Sequence, residues 1–188
     1  MDSRFKWVDY AKAVSILFVA MGHASMPHSI KNVIYTFHIP LFFLLSGLFL
    51  NFDKYPDYKT FFKRRIFQLV IPYLFFNIIT YLFWVFLSRH IGKDATLDLN
   101  PLKPLLGIAY GNAPNHFLEH NIPLWFLACL FTVENLYFLI FRNLKTKFKI
   151  IGLLLFFIIG YLDYTFNNII RFPWGLNIAL VVIAFYGL

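Results

Sequence analysis

Long apolar runs separated by short polar or charged stretches make up most of this chain. A helix needs about 20 apolar residues to cross the hydrocarbon core of a bilayer, and six runs come near that length. They are Trp7–Met26, Val33–Phe52, Ile66–Leu87, Leu124–Phe141, Phe148–Tyr164 and a last run that begins near Trp174 and continues to Leu188. The pattern predicts an all-α fold, a multi-pass transmembrane helix bundle with five to six helices in this chain.

Composition and charge fit that prediction. Of the 188 residues, 60% are hydrophobic and 14% are charged, whereas soluble domains average about 45–50% and about 25%. The formal net charge is +8, but the basic residues flank the apolar runs. They therefore indicate orientation in a membrane and not binding to nucleic acid. Lysine and arginine concentrate before the first run and in the second and fourth connections, so we expect a cytoplasmic N-terminus.

Three ionisable side chains interrupt the first predicted helix: Asp9, Lys12 and His23. Such groups are costly in hydrocarbon and are typical of an internal cavity. Lys12 and His23 are eleven residues apart, which puts them on one helical face about 16 Å apart. Asp9 lies one turn from Lys12 and is expected to pair with it. His38, on the returning second helix, lies at a similar depth to His23, so we expect both imidazoles to share a polar cavity.

Two histidines in one cavity suit proton transfer. An imidazole can take the proton of a hydroxyl that attacks an activated acyl group, and Lys12 could attract a phosphate or another anion. The alternative is that His38 only forms a hydrogen bond with a neighbouring helix. Ser46, Glu134 and Asn135 are further candidates for the cavity wall, and Glu134 could instead pair with Lys12.

Four motifs give the chain a specific resemblance. They are the Lys12-x10-His23 spacing with Asp9 before it, FHIPLFFLLSG at 37–47, FFKRRIFQLVIPY at 61–73 and PLWFLACLF at 123–131. With these motifs in this order, the chain resembles the membrane-bound acyltransferase family 3, whose members O-acetylate cell-surface saccharides. Lysine at position 12 is similar to the fucose 4-O-acetylase branch of that family.

The resemblance implies an integral membrane enzyme, an acyltransferase for groups other than amino-acyl groups. It would move an acyl group, with acetyl expected, from acyl-CoA to a hydroxyl of a cell-surface or lipid-linked saccharide. His23 would be the general base or a transient acyl carrier, and His38 would assist or orient it. Lys12 would hold the thioester end or set a histidine tautomer through a chain of polar groups. The phosphates of coenzyme A would contact three consecutive residues of the basic motif, Lys63, Arg64 and Arg65, although Gln68 stands where the family has a further arginine.

The resemblance also implies a setting for the chain. Family members have about ten helices that cross the bilayer, so we expect residues 1–188 to be an incomplete, N-terminal portion of the acyltransferase domain. We expect a multi-pass protein of the bacterial cytoplasmic membrane, with membrane lipid and a saccharide acceptor as partners and a homo-oligomer as a possible state.

Two other functions and one other site are compatible with the same residues. The chain could be a proton-coupled transporter or flippase subunit whose His and Lys relay protons, or an inactive fragment of the acyltransferase. HFLEH, from His116 to His120, matches a zinc-protease pattern. It lies in a connection rich in Pro, Gly and Asn, so we expect solvated loop histidines or an acceptor-facing surface there, and no metal.

Overall fold

A computed structural model describes residues 6–24, 27–92, 94–166 and 171–187, and for Lys6, Val8 and His23 it describes the backbone alone. It is 83% helical, with no strand among the described residues. The prediction of an all-α fold is therefore confirmed.

Eight α-helices follow one another along the described chain. They are α1 (Lys6–His23), α2 (His28–Phe49), α3 (Tyr58–Arg65), α4 (Ile71–Phe86), α5 (Leu102–Tyr110), α6 (Trp125–Leu136), α7 (Thr146–Phe166) and α8 (Leu176–Tyr186). A π-helical turn, Ile66–Val70, joins α3 to α4, and a second, Tyr137–Phe141, prolongs α6.

Four helical stretches are long and apolar enough to cross a membrane: His28–Phe49, Tyr58–His90, Ile122–Phe141 and Thr146–Phe166. The chain is therefore a membrane protein. Two of the predicted spans are not among the four. The first of these, α1, has only 18 residues and includes Lys6, Asp9 and Lys12, and α8 is shorter still.

The basic motif after α2 is already helical before Ile66, where the third predicted span begins. Asp57 caps the helix, because its carboxylate accepts a hydrogen bond of 2.7 Å from the backbone N–H of Thr60. Helix α3 therefore begins at Tyr58. The π turn that follows ends two residues before Pro72, which lacks an N–H and falls in the first turn of α4.

Helices α1 and α2 run antiparallel and are joined by aromatic contacts. The ring of Trp7 lies 5.6 Å from that of Phe49, and the ring of Phe18 lies 4.9 Å from that of Phe37. The N-terminal part of α1 thus lies beside the end of α2.

The buried core is formed by α2, α6 and α8, with Phe43, Cys129, Val133 and Ile183 among its buried side chains. Helices α2 and α8 approach closely at Gly47, where a Cβ atom would collide with the backbone carbonyl of Tyr186. Helix α7 packs against α8 and, because few of its side chains are buried, leaves most of its apolar surface for lipid.

The long third connection folds back onto the bundle as an ordered cap that contains α5. The hydroxyl groups of Tyr73 and Tyr81, both on α4, donate hydrogen bonds to the carbonyls of Ile108 and Pro101, at 2.7 Å and 3.0 Å. The amide of Asn112 bonds both Phe172 and Gly175, in the connection before α8. We call this end of the bundle the capped end.

The second and fourth connections meet at the opposite end. Arg142 donates a hydrogen bond of 2.8 Å to the carbonyl of Tyr55. We call this end, where Lys54, Lys145 and Lys147 also lie, the basic end. The two connections that meet at this end are the second and the fourth, and these are the connections in which lysine and arginine concentrate in the sequence.

Candidate active site

His38 is a buried imidazole in the middle of α2, with 5% of its surface exposed. Its Nδ1 atom lies 2.7 Å from the carbonyl oxygen of Ile34, one turn earlier. Because a carbonyl oxygen only accepts hydrogen bonds, Nδ1 carries the proton and donates it. In the neutral ring the lone pair is therefore on Nε2, which is the form that a general base requires.

The imidazole borders a cavity of about 380 Å³ between α1, α2 and the start of α6. Helix α1 contributes Ile16 and Val19 to its wall, and the start of α6 contributes Trp125 and Phe126. Among the described residues of this mainly aliphatic and aromatic wall, His38 is the one imidazole.

Position 23 is linked to this cavity through the backbone, although the side chain of His23 lies outside the described residues. The hydroxyl of Tyr35 donates a hydrogen bond of 2.8 Å to the carbonyl of Gly22, and the Tyr35 ring lies 5.4 Å from the His38 ring. The backbone at His23 is thus about one helical turn, ~5 Å, nearer the capped end than His38. The meeting of the two imidazoles stays a prediction.

Lys12 lies toward the basic end of the same helical pair. Its side chain is exposed, and Nζ is 5.8 Å from the centre of the Phe49 ring, at the end of α2. Phe49 follows His38 by eleven residues on α2, so the two positions are about 16 Å apart along the helix. Asp9 is half-buried on α1. The pairing of Asp9 with Lys12 and the role of Lys12 toward the thioester stay predictions.

The three predicted phosphate-binding residues lie in different environments. Lys63 and Arg64 are exposed on α3. Arg65 is buried: its Nε lies 3.0 Å from Oε2 of Glu134, and its NH1 donates a hydrogen bond of 2.7 Å to Gln68. Its guanidinium is thus already engaged by protein groups.

Glu134 and Asn135 join α6 to α3 at this point. The partner of Glu134 is Arg65, so the alternative in which Glu134 pairs with Lys12 is wrong. The reason is that Arg65 reaches α6 from the buried face of α3, whereas the Lys12 ammonium lies over Phe49. The amide of Asn135 accepts a hydrogen bond of 3.0 Å from the hydroxyl of Tyr58.

The residues that line the His38 cavity do not include Glu134, Asn135 or Ser46. Glu134 follows Phe126 by eight residues on α6, and Ser46 follows His38 by eight on α2. Eight residues are about 12 Å along a helix. Ser46 is half-buried, nearer the basic end.

Arg142 and Lys149 were missed in the sequence, although they line a cavity of about 450 Å³ at the basic end. From the sequence alone, the only role expected of these two cations is to set the orientation of the chain in the membrane. Tyr35 was missed as well, and its position three residues before His38, on the same helical face, was the available signal.

The two histidines of the H-x-x-E-H pattern, His116 and His120, contact different partners, one within the cap and one on α4. His116 Nδ1 lies 2.7 Å from a carboxylate oxygen of Glu119. His120 is partly buried, and its Nε2 lies 2.9 Å from Oδ1 of Asn77 on α4, so the expectation of a solvated loop histidine is wrong for His120. Within the described ranges, no group of three or more His, Cys, Asp or Glu residues could hold a metal ion.

A family model described as an acyltransferase domain matches residues 5–188. The chain therefore belongs to the membrane acyltransferase family 3 and is an acyltransferase. No curated protein and no solved structure matches it.

Proposed function

We propose that this chain transfers an acyl group, acetyl in the first instance, from acyl-CoA to a hydroxyl of a cell-surface or lipid-linked saccharide. The setting is the bacterial cytoplasmic membrane, with the basic end toward the cytoplasm. The observation that carries the proposal is the His38 imidazole beside its cavity, with Nδ1 bonded to the Ile34 carbonyl.

In the proposed reaction the Nε2 lone pair of His38 takes the proton of the acceptor hydroxyl. The hydroxyl oxygen attacks the thioester carbonyl, a C–O bond forms, and the C–S bond breaks. The proton then passes from the imidazolium to the departing thiolate, so free coenzyme A and an ester are the products. The Ile34 carbonyl stabilises the imidazolium that forms in between, because it accepts a hydrogen bond from Nδ1–H throughout.

The other predicted residues enter the proposal through the family resemblance. His23 acts as a second imidazole, either as a base or as a transient carrier of the acyl group. Lys12, with Asp9 one turn away, lies toward the basic end, where it can attract the donor as it enters. Lys63, Arg64 and Arg65 supply positive charge on the same side, although Arg65 does so from within an ion pair.

The experiment is acyl transfer in proteoliposomes that contain the purified chain. Acetyl-CoA labelled in the acetyl group is supplied with a panel of saccharide acceptors, and the products are analysed by mass spectrometry. We expect one acetyl group per product, in an alkali-labile ester, and the label should be lost with His38→Ala. His28→Ala is the matched control, because His28 is an exposed histidine at the start of α2.

Two results would contradict this proposal. One is proton-coupled uptake of a solute without transfer of the label, which would favour a transporter. The other is consumption of the thioester without any acylated acceptor, which would indicate hydrolysis and not transfer to a saccharide.

A further inference from the structure

The cavity at the basic end lies between the α2–α3 connection, the end of α6, the start of α7 and the end of α8. It measures about 450 Å³. The side chains of Asn51, Asp53, Arg142 and Lys149 line it, together with the rings of Phe52, Tyr137 and Tyr186. It is separate from the His38 cavity, with which it shares no lining residue.

Both cations of this cavity are held by aromatic rings. The guanidinium carbon of Arg142 is 4.6 Å from the centre of the Phe138 ring, and Nζ of Lys149 is 5.5 Å from that of Tyr137. Cation–π contacts fix a cation without neutralising it. In the described part of the chain neither cation forms an ion pair, so both keep their charge for a ligand.

A further hydrogen-bond donor lines the same space. The carboxamide oxygen of Asn51 is occupied by the backbone N–H of Asp53, at 2.8 Å, which leaves the amide N–H groups of Asn51 to donate. A phosphate group offers only acceptors, so converging donors and two cations are the chemistry that it requires.

We propose that this cavity binds the phosphates of the acyl donor, with Arg142 and Lys149 as the contacting cations. The inference rests on the proposed function, because it takes acyl-CoA as the donor. It moves the main phosphate contact from Arg65, whose guanidinium is engaged by Glu134 and Gln68, to two cations without an ion pair.

The positions of the two cavities along α2 suit a donor with its reactive group far from its phosphates. Gly47 of the basic cavity is nine residues after His38, or about 13 Å along the helix. The pantetheine arm of coenzyme A separates the thioester from the diphosphate. Phe43 lies on α2 between His38 and Gly47, and its ring is 4.9 Å from that of Phe126 in the wall of the His38 cavity. The arm must therefore pass beside Phe43 or displace it.

The test is the binding of coenzyme A to the purified full chain in detergent, measured by titration calorimetry without an acceptor. Each of Arg142→Gln and Lys149→Gln should raise the Kd about tenfold, because each removes a charge-assisted contact. Lys145→Gln and Lys147→Gln are the matched controls. They remove the same charge from exposed positions of the same segment and should change the Kd less than twofold.

Misfolding of a variant can explain a loss of affinity for coenzyme A but not a gain, so one variant is designed to bind coenzyme A more tightly. Of the described residues that line the cavity, Asp53 is the one that carries a carboxylate, and it is exposed. Asp53→Asn should therefore lower the Kd severalfold. Inorganic pyrophosphate should compete with coenzyme A in the wild type and more weakly in Arg142→Gln.

The outcomes separate this inference from the proposed function. Normal affinity in Arg142→Gln and Lys149→Gln, or a loss confined to Lys63→Gln and Arg64→Gln, would overturn the phosphate site and leave the acyltransferase proposal standing. A wild type that binds no coenzyme A and transfers no acyl group would end the donor assignment and the phosphate site together.

Discussion

Arg65 on α3 and Glu134 on α6 form an ion pair inside the helix bundle, with Nε of the arginine 3.0 Å from Oε2 of the glutamate. Only 11% and 4% of the two side chains are exposed. Neither atom has a hydrogen-bond partner among the described residues, so it is the attraction between the charges that holds them together. Loss of one partner would leave a charge in an environment of low polarity.

We expect Glu134→Leu to destabilise the fold by about 3–5 kcal/mol, because it leaves the guanidinium buried and uncompensated. The double variant Arg65→Met/Glu134→Leu should recover most of that loss, since it removes both charges. Thermal unfolding in detergent, arranged as a double-mutant cycle, measures the coupling. Arg64→Met, at the exposed neighbouring position, should change stability by less than about 0.5 kcal/mol. Additive effects of the two core variants would contradict the pair.

The close approach of α2 and α8 depends on Gly47. A methyl group there would meet the backbone of Tyr186, which cannot rotate away as a side chain could. Gly47→Ala should therefore destabilise the bundle by about 1–3 kcal/mol or more. Ser46→Ala, one residue earlier and half-buried, is the control and should unfold near the wild-type temperature. Unfolding of both variants in the same detergent decides the point, and equal stability would refute the contact.

Stability of the cap should depend on pH through His120. Burial lowers the pKa of His120 from its usual value of about 6.5 to about 4. Because the folded-state pKa is the lower one, the unfolded chain takes up the proton first as the pH falls. The stabilising contribution of the neutral ring is thus complete above about pH 6.5 and is lost as the pH falls toward about 4.

The variant His120→Gln isolates this effect. A glutamine amide can still donate to Asn77, as His120 Nε2 does at 2.9 Å, but it does not titrate. Between pH 7 and pH 4.5 the unfolding temperature of the wild type should fall more than that of His120→Gln. Identical pH slopes for the two proteins would show that His120 does not titrate in this range on unfolding.

Most of the helix pattern followed from the sequence because the length of an apolar run is a local property. Helix α5 was not predicted. Its position depends on tertiary contacts, such as those of the Tyr73 and Tyr81 hydroxyls with backbone carbonyls of the cap, and such contacts leave no periodic signal in a segment rich in proline and glycine.

The site was predicted less completely than the fold. Arg65 was grouped with Lys63 and Arg64 as one basic cluster, although it falls four residues after Phe61 and four before Leu69. Phe61, Arg65 and Leu69 are all buried on one face of the helix, and their spacing of four residues was a usable signal of that face. The ring-held cations Arg142 and Lys149 gave no such signal, because a basic residue beside a membrane helix is ordinarily a topology determinant.

The central claim is that the Nε2 lone pair of His38 takes a proton during acyl transfer, and His38→Asn tests it most directly. An asparagine amide can replace Nδ1 as the donor to the Ile34 carbonyl, but it has no lone pair at the position of Nε2. The measurement is the rate of acyl transfer by this variant in proteoliposomes, with unfolding temperature and coenzyme A affinity as controls for intact structure. We expect a rate lower by about 10²–10⁴-fold with both controls unchanged. A rate near that of the wild type would show that Nε2 takes no proton in the reaction.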